Sequence, residues 1–131
     1  MGLIMKKLSC LLILAATLSS TAWAACKPPD SLRKFPDGKT ASKDQMVNAQ
    51  KVFAEFDSKI EKYRACLKDE HDAQLKKNPK ADAALKEEFF KGYKEKDDRA
   101  IGLAEKTRDD LNLEVRAFND AAKARKAAAG Q

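Results

Sequence analysis

Seven residues, Met46, Ala49, Phe53, Phe56, Ile60, Tyr63 and Leu67, follow one another at alternating steps of three and four. That spacing gathers them on one stripe of an α-helix, and a stripe of this kind needs a second helix to cover it. Aromatic side chains at helical spacing can also line a ligand groove, but a packed core is the stronger reading. Ser42-Lys43-Asp44-Gln45 has the form of a capping box, with Ser42 as N-cap and Gln45 reaching back to it. The spacing therefore predicts a helix from Ser42 to Lys76 or Lys77, stopped by Asn78-Pro79. Asn78 is expected to cap the next helix, with Pro79 at its first position.

The second helical segment is expected from about Pro79 to Ala128, on a less regular seam of Leu85, Phe89, Tyr93, Ile101, Ala104, Leu111, Val115, Phe118 and Ala122. Between Tyr93 and Ile101 the seam is thin. Gly92 and Gly102 each weaken a helix by about 1 kcal/mol against alanine, and Asp97-Asp98 lies between them. At 1.5 Å per residue the second helix would be about 72 Å long and the first about 51 Å. Either the longer one projects past its partner or it bends. A break between Asp97 and Gly102 is the favoured expectation. The fold class is thus all-α: an elongated antiparallel helical hairpin of two long helices, the second either continuous or broken into two, carrying an extended N-terminal arm.

Ahead of the helices, the chain divides into a signal peptide at residues 1–24 and the arm at residues 25–41. The helical hairpin domain takes residues 42–131. Lys6 and Lys7 precede an apolar run from Leu8 to Leu18, and Ala22-Trp23-Ala24 offers small residues at the two positions read by signal peptidase. Cleavage is expected between Ala24 and Ala25. Ser19, Ser20 and Thr21 interrupt the run before it reaches the roughly 20 residues a spanning helix needs. Trp23 stands where a lipoprotein signal carries an aliphatic residue, so acylation of Cys26 is not the expected outcome. Within the arm, Pro28, Pro29 and Pro36 oppose regular structure and Pro36-Asp37-Gly38 signals a turn. Leu32 and Phe35 are its large apolar side chains.

The distribution of charge speaks against a nucleic-acid partner, and none is expected. The whole chain carries a net +6, two charges of which leave with the signal peptide. The helical stretches are balanced, with 8 basic and 7 acidic residues from Lys43 to Lys77 and 12 and 11 from Lys80 to Lys126. Nucleic-acid binders gather one sign into a patch, whereas interspersed charge marks solvated helix faces. The one local basic run, Lys123-Ala-Arg125-Lys126, suits the C-terminus of a helix.

Cys26 and Cys66 are the two cysteines beyond the signal, and an even number in an oxidising compartment reads as a structural disulfide. A redox pair would sit as C-x-x-C, and a zinc site would need four ligands where two Cys and one His are present. An arm of this length can reach about 53 Å, so it can run back along the first helix and bring Cys26 to Cys66, some 36 Å from the helix start.

Few residues are candidates for chemistry. His71, the only histidine, lies among Asp69, Glu70 and Asp72, and is read as a solvated surface residue with no nucleophile placed for it. Glu87-Glu88, Asp97-Asp98 and Asp109-Asp110 diverge around a helix rather than facing across a cleft, so they too read as solvated faces. A Gly-rich phosphate loop is absent. No catalytic, cofactor-binding or metal-binding residues are assigned, no cofactor is expected, and the chain is read as a non-enzyme. The alternative is a small-ligand binder or enzyme using Tyr63, His71 and Tyr93.

The stretch PDGKTASKDQMVNAQKVFAEFDSKIEKYRACLKDE, together with Val115-Arg-Ala-Phe118-Asn119 and Lys123-Ala-Arg125, resembles a family of small exported bacterial proteins with no assigned activity. The shared pattern is P-D-G-x-T-A, then Met, Ala-Gln, an aromatic, Tyr and Cys, and a closing F-N…K-x-R. In this chain its residues are Pro36, Asp37, Gly38, Met46, Gln50, Tyr63, Cys66 and Phe118. The resemblance implies a bacterial envelope or secreted location and no particular mechanism. The functional expectation is a periplasmic or secreted, non-enzymatic interaction or structural protein with an unknown protein partner in the cell envelope. A chaperone-like holder of unfolded proteins is one form of it.

Overall fold

A computed structural model describes residues 25–130; the expected signal peptide, residues 1–24, and Gln131 lie outside the described residues. The described chain is all-helical, with an irregular arm at residues 25–37, a turn at 38–40, and two helices packed against each other: α1, Lys43–Lys77, and α2, Ala83–Ala129. None of these helices is long and apolar enough to cross a membrane.

The capping box at the start of α1 is formed as the sequence expects. Ser42 Oγ accepts from the Gln45 N–H at 3.2 Å, and Gln45 Oε1 accepts from the Ser42 N–H at 2.8 Å. Met46, Ala49, Phe56, Ile60 and Leu67 are buried, while Phe53 and Tyr63 pack beside them half-buried. The three largest fully buried side chains are Phe56, Ile60 and Leu67, all from this one stripe.

The connection between the helices differs from expectation. Asn78 caps the end of α1 instead of the start of α2. Its N–H reaches the carbonyls of Gln74 and Leu75, and its side-chain amide donates to the Gln74 carbonyl at 2.9 Å. Pro79 sits in the turn, and Asp82 becomes the N-cap of α2, accepting from the Leu85 N–H at 2.9 Å. An aspartate acceptor three residues before a free N–H satisfies a helix start as well as asparagine does, and Asn78 is already engaged.

No break separates α2 into two helices: it runs unbroken through Asp97, Asp98 and Gly102. The apparent gap in its seam is filled by a polar residue and a small one. Asp97 receives two hydrogen bonds from the Arg64 guanidinium, at 2.7 and 3.3 Å. Ala100 then packs directly on Phe56 and Ile60. The buried row of α2 is Ala100, Ala104, Thr107 and Leu111, so Ile101 and Val115 stand on its flank, half-buried. Thr107 is accommodated because its hydroxyl donates to the Leu103 carbonyl at 2.7 Å.

Asp97 faces Arg64 and Arg108 faces Asp57. Counting on along the antiparallel pair places the first turn of α1 beside the region of Glu114 to Phe118. The last two to three turns of α2 therefore extend past α1. The length mismatch is resolved by projection.

Candidate functional site

The arm is the feature that sets this hairpin apart from a plain helix pair. It leaves the turn at Gly38, runs back over the groove between the helices, and ends at Cys26 beside Cys66. The Cα atoms of the two cysteines are 5.8 Å apart and the pair is bonded as a disulfide, within the usual span of such bonds. At the other end Gly38 is buried against the backbone of α2. A Cβ on this residue would overlap the Glu114 carbonyl oxygen and lie 2.8 Å from the Phe118 nitrogen. Glycine is required here by proximity, since its φ is not positive. Its N–H donates to Glu114 Oε2 at 2.7 Å. Asp37 shapes the turn by accepting from Lys39, Thr40 and Ala41.

Between these anchors the arm is held by side chains alone. Leu32 packs against the core cluster of Phe56, Ile60, Ala100 and Ala104. The main-chain groups of residues 27–35 have no hydrogen-bond partner among the described residues. They remain available to solvent or to a binding partner.

Clefts flank the arm on both sides. The larger, about 650 Å³, lies between the arm and α1 and is bounded by Leu32, Phe35, Ala49, Val52 and Phe56 among apolar residues. Lys27, Arg33, Lys34 and Lys59 also line it, with Asp30 and Glu55 as its acids. A second cleft, about 480 Å³, lies on the α2 side of residues Leu32 to Phe35, against Lys106, Asp110 and Leu113. A third, about 380 Å³, is enclosed by Cys26, Pro28 and Pro29 over Ile60, Tyr63, Ala100 and Leu103. The opposite face of the hairpin is closed by the Arg64–Asp97 and Arg108–Asp57 pairs and by the Arg108 guanidinium 6.0 Å from the Phe53 ring centre. Asp97 strengthens the proton affinity of Arg64 by accepting its hydrogen bonds.

Of the residues named as an alternative site, His71 and Tyr93 meet and Tyr63 does not join them. The His71 ring stacks on Tyr93 at 5.2 Å and meets Phe90 edge-on at 6.2 Å. His71 is half-buried, not the solvated residue the sequence suggests, and its Nδ1 is buried without a hydrogen-bond partner. Tyr63 lies two turns away, on the arm side, against Pro28 and Pro29. Asp97 likewise departs from expectation, its side chain being only 14% exposed and ion-paired. Among the described residues no group of three or more His, Cys, Asp or Glu side chains is placed to hold a metal ion.

No family model matches this chain, and no curated protein or solved structure is significantly similar to it. Sequence reasoning missed the cleft and the close approach of Gly38. The one available signal for the latter was a glycine inside an otherwise ordinary Pro-Asp turn, which reads equally well as a turn requirement.

Proposed function

We propose that this protein is a non-enzymatic interaction protein of an exported, oxidising compartment, and that it meets its partner at the arm. The observation that carries the reading is the arm itself, pinned at both ends and making no main-chain hydrogen bonds between them to the described residues, with a 650 Å³ cleft along one edge. The peptide groups of this segment stay open to solvent beside a cleft whose lining is part apolar, with Leu32, Phe35, Val52 and Phe56, and part charged. Clefts of about 300–1,000 Å³ are the ordinary size of recognition sites. The export features of residues 1–24 and the Cys26–Cys66 pairing support the location. The resemblance to small exported bacterial proteins points the same way.

The test uses two photo-crosslinking side chains introduced separately in the producing cell. One replaces Val52, which is 38% exposed and lines the large cleft; the other replaces Val47, which is 52% exposed and lines none of the clefts described. Discrete cross-linked partners from position 52 and not from position 47 are expected, on a protein whose N-terminus is Ala25. Equal labelling from both positions, or none from position 52, would refute the proposal.

A further inference from the structure

We infer that the large cleft takes an extended, acidic peptide segment, laid alongside the arm and hydrogen-bonded to its main chain. This inference rests on the reading of the arm as an interaction site and names the chemistry of its partner. The first support is charge. Lys27, Arg33, Lys34 and Lys59 all line the cleft, and none of the four makes an ion pair among the described residues. Some helix charges elsewhere pair locally, as in Lys68–Asp72 and Lys94–Asp98, and others such as Lys51, Lys86 and Lys91 do not, so the mark of the cleft is the gathering of four such cations around one trough. Lys59 has Glu55 one turn before it on α1, yet even these two do not pair. Four cations against Asp30 and Glu55 leave the trough positive.

The spread of the cations decides between kinds of anion. Lys59 lies toward the disulfide, and Arg33 and Lys34 lie toward the Gly38 turn. A single-headed amphiphile would need its positive charge at one end. Charge along the whole length suits a ligand with several carboxylates. The wall from Gln45 to Lys59 is about 21 Å long at 1.5 Å per residue, which matches about six residues of extended peptide at 3.3 Å each. The floor of Ala49, Val52 and Phe56 accepts apolar side chains between the acidic ones.

The second support is the main chain. Asp30 to Phe35 is a proline-free run between Pro29 and Pro36, and none of its N–H and C=O groups has a partner among the described residues. An extended segment placed beside such a run gains affinity from main-chain bonds and specificity from alternate side chains.

The probe is a fluorescein-labelled octapeptide of alternating glutamate and leucine, titrated with the disulfide-bonded protein of residues 25–131 and followed by anisotropy. Saturable binding is expected, weakening as salt is raised. The lysine–leucine counterpart, and the acidic peptide N-methylated at alternate residues, should each bind at least about tenfold more weakly. R33E combined with K59E should lose binding by at least about tenfold, while K86E, on an exposed face away from the arm, should leave it unchanged. Far-UV circular dichroism establishes that the variants remain folded; if R33E/K59E does not, S31P, which removes one arm N–H, takes its place. No binding of the acidic peptide, equal binding of the N-methylated or lysine peptide, or saturation of the cleft by sodium oleate in place of the peptide would each overturn the inference. Partner cross-links at position 52 together with any of those results would sink the acidic-peptide assignment and leave the arm as the interaction site.

Discussion

Replacing Gly38 with alanine should be the most damaging single-methyl change available in this chain. The added Cβ would collide with the carbonyl oxygen of Glu114 and crowd the Phe118 nitrogen, both backbone atoms of α2 that cannot rotate away. The turn has to withdraw from the helix, and overpacking of this kind costs about 1–3 kcal/mol. Withdrawal also weakens the 2.7 Å bond from the Gly38 N–H to the Glu114 carboxylate, a charge-assisted bond of about 1.5–3 kcal/mol. The two losses overlap, because one displacement causes both. A total of about 2–4 kcal/mol follows, or a fall in melting midpoint of about 10–25 °C for a chain of this size. Thermal melts of the disulfide-bonded protein by far-UV circular dichroism provide the measurement. G102A serves as the opposite control: that glycine faces open space, so alanine should stabilise by up to about 1 kcal/mol. The E114A variant should lose the hydrogen bond but keep the close approach, and so should fall less than G38A. A midpoint for G38A within about 3 °C of the parent would refute the contact.

The Cys26–Cys66 bond closes a separation of 40 residues, which in the chain-entropy model stabilises by about 4 kcal/mol. Native protein should show no free thiol on alkylation, and reduction should lower the midpoint while leaving most of the helix at low temperature. Asp97→Ala should destabilise by about 1–2 kcal/mol in denaturant melts, less than a fully buried pair because Arg64 keeps a third of its side chain in water. Lys94→Ala, which breaks only an exposed pair, should change stability by less than about 0.5 kcal/mol. Ile60→Ala, at 1% exposure, should cost about 2–5 kcal/mol, and Lys59→Ala beside it less than about 0.5 kcal/mol; equal effects would contradict the seam.

The α1 seam was legible because every one of its positions is apolar, so periodicity and burial coincide. The α2 seam was only half legible because several of its positions are not. Asp97, Thr107 and Glu114 sit in register with Ala100, Ala104 and Leu111, and each is tolerated through a specific partner: Arg64, the Leu103 carbonyl and the Gly38 N–H. A pattern search for apolar residues passes over such positions and selects neighbours such as Ile101 and Val115 instead. The disulfide was legible from count, spacing and the reach of the arm. The cleft was not, because it arises from where the arm fails to fill the groove, and a sequence carries no direct sign of unfilled space. His71 was misread for a related reason: its neighbours in sequence are acids, but its neighbours in space are Tyr93 and Phe90.

Two helices meeting along a repetitive stripe can in principle slide past each other by whole heptads, as a vernier slips from one matching mark to the next. Here the polar positions forbid it. Moved by seven residues in one direction, Asp97 would face Asp57, and in the other it would face His71. The first shift sets one carboxylate against another, and the second gives up the Arg64 fork and pulls Tyr93 off the His71 ring. Either shift also carries Glu114 away from the single spot where Gly38 can land. A seam of leucines would adhere more strongly and say less about where to stop. By interrupting its seam with an aspartate and reserving one glycine-sized gap, this hairpin gives up some adhesion and retains a single alignment, the one in which Cys26 arrives at Cys66.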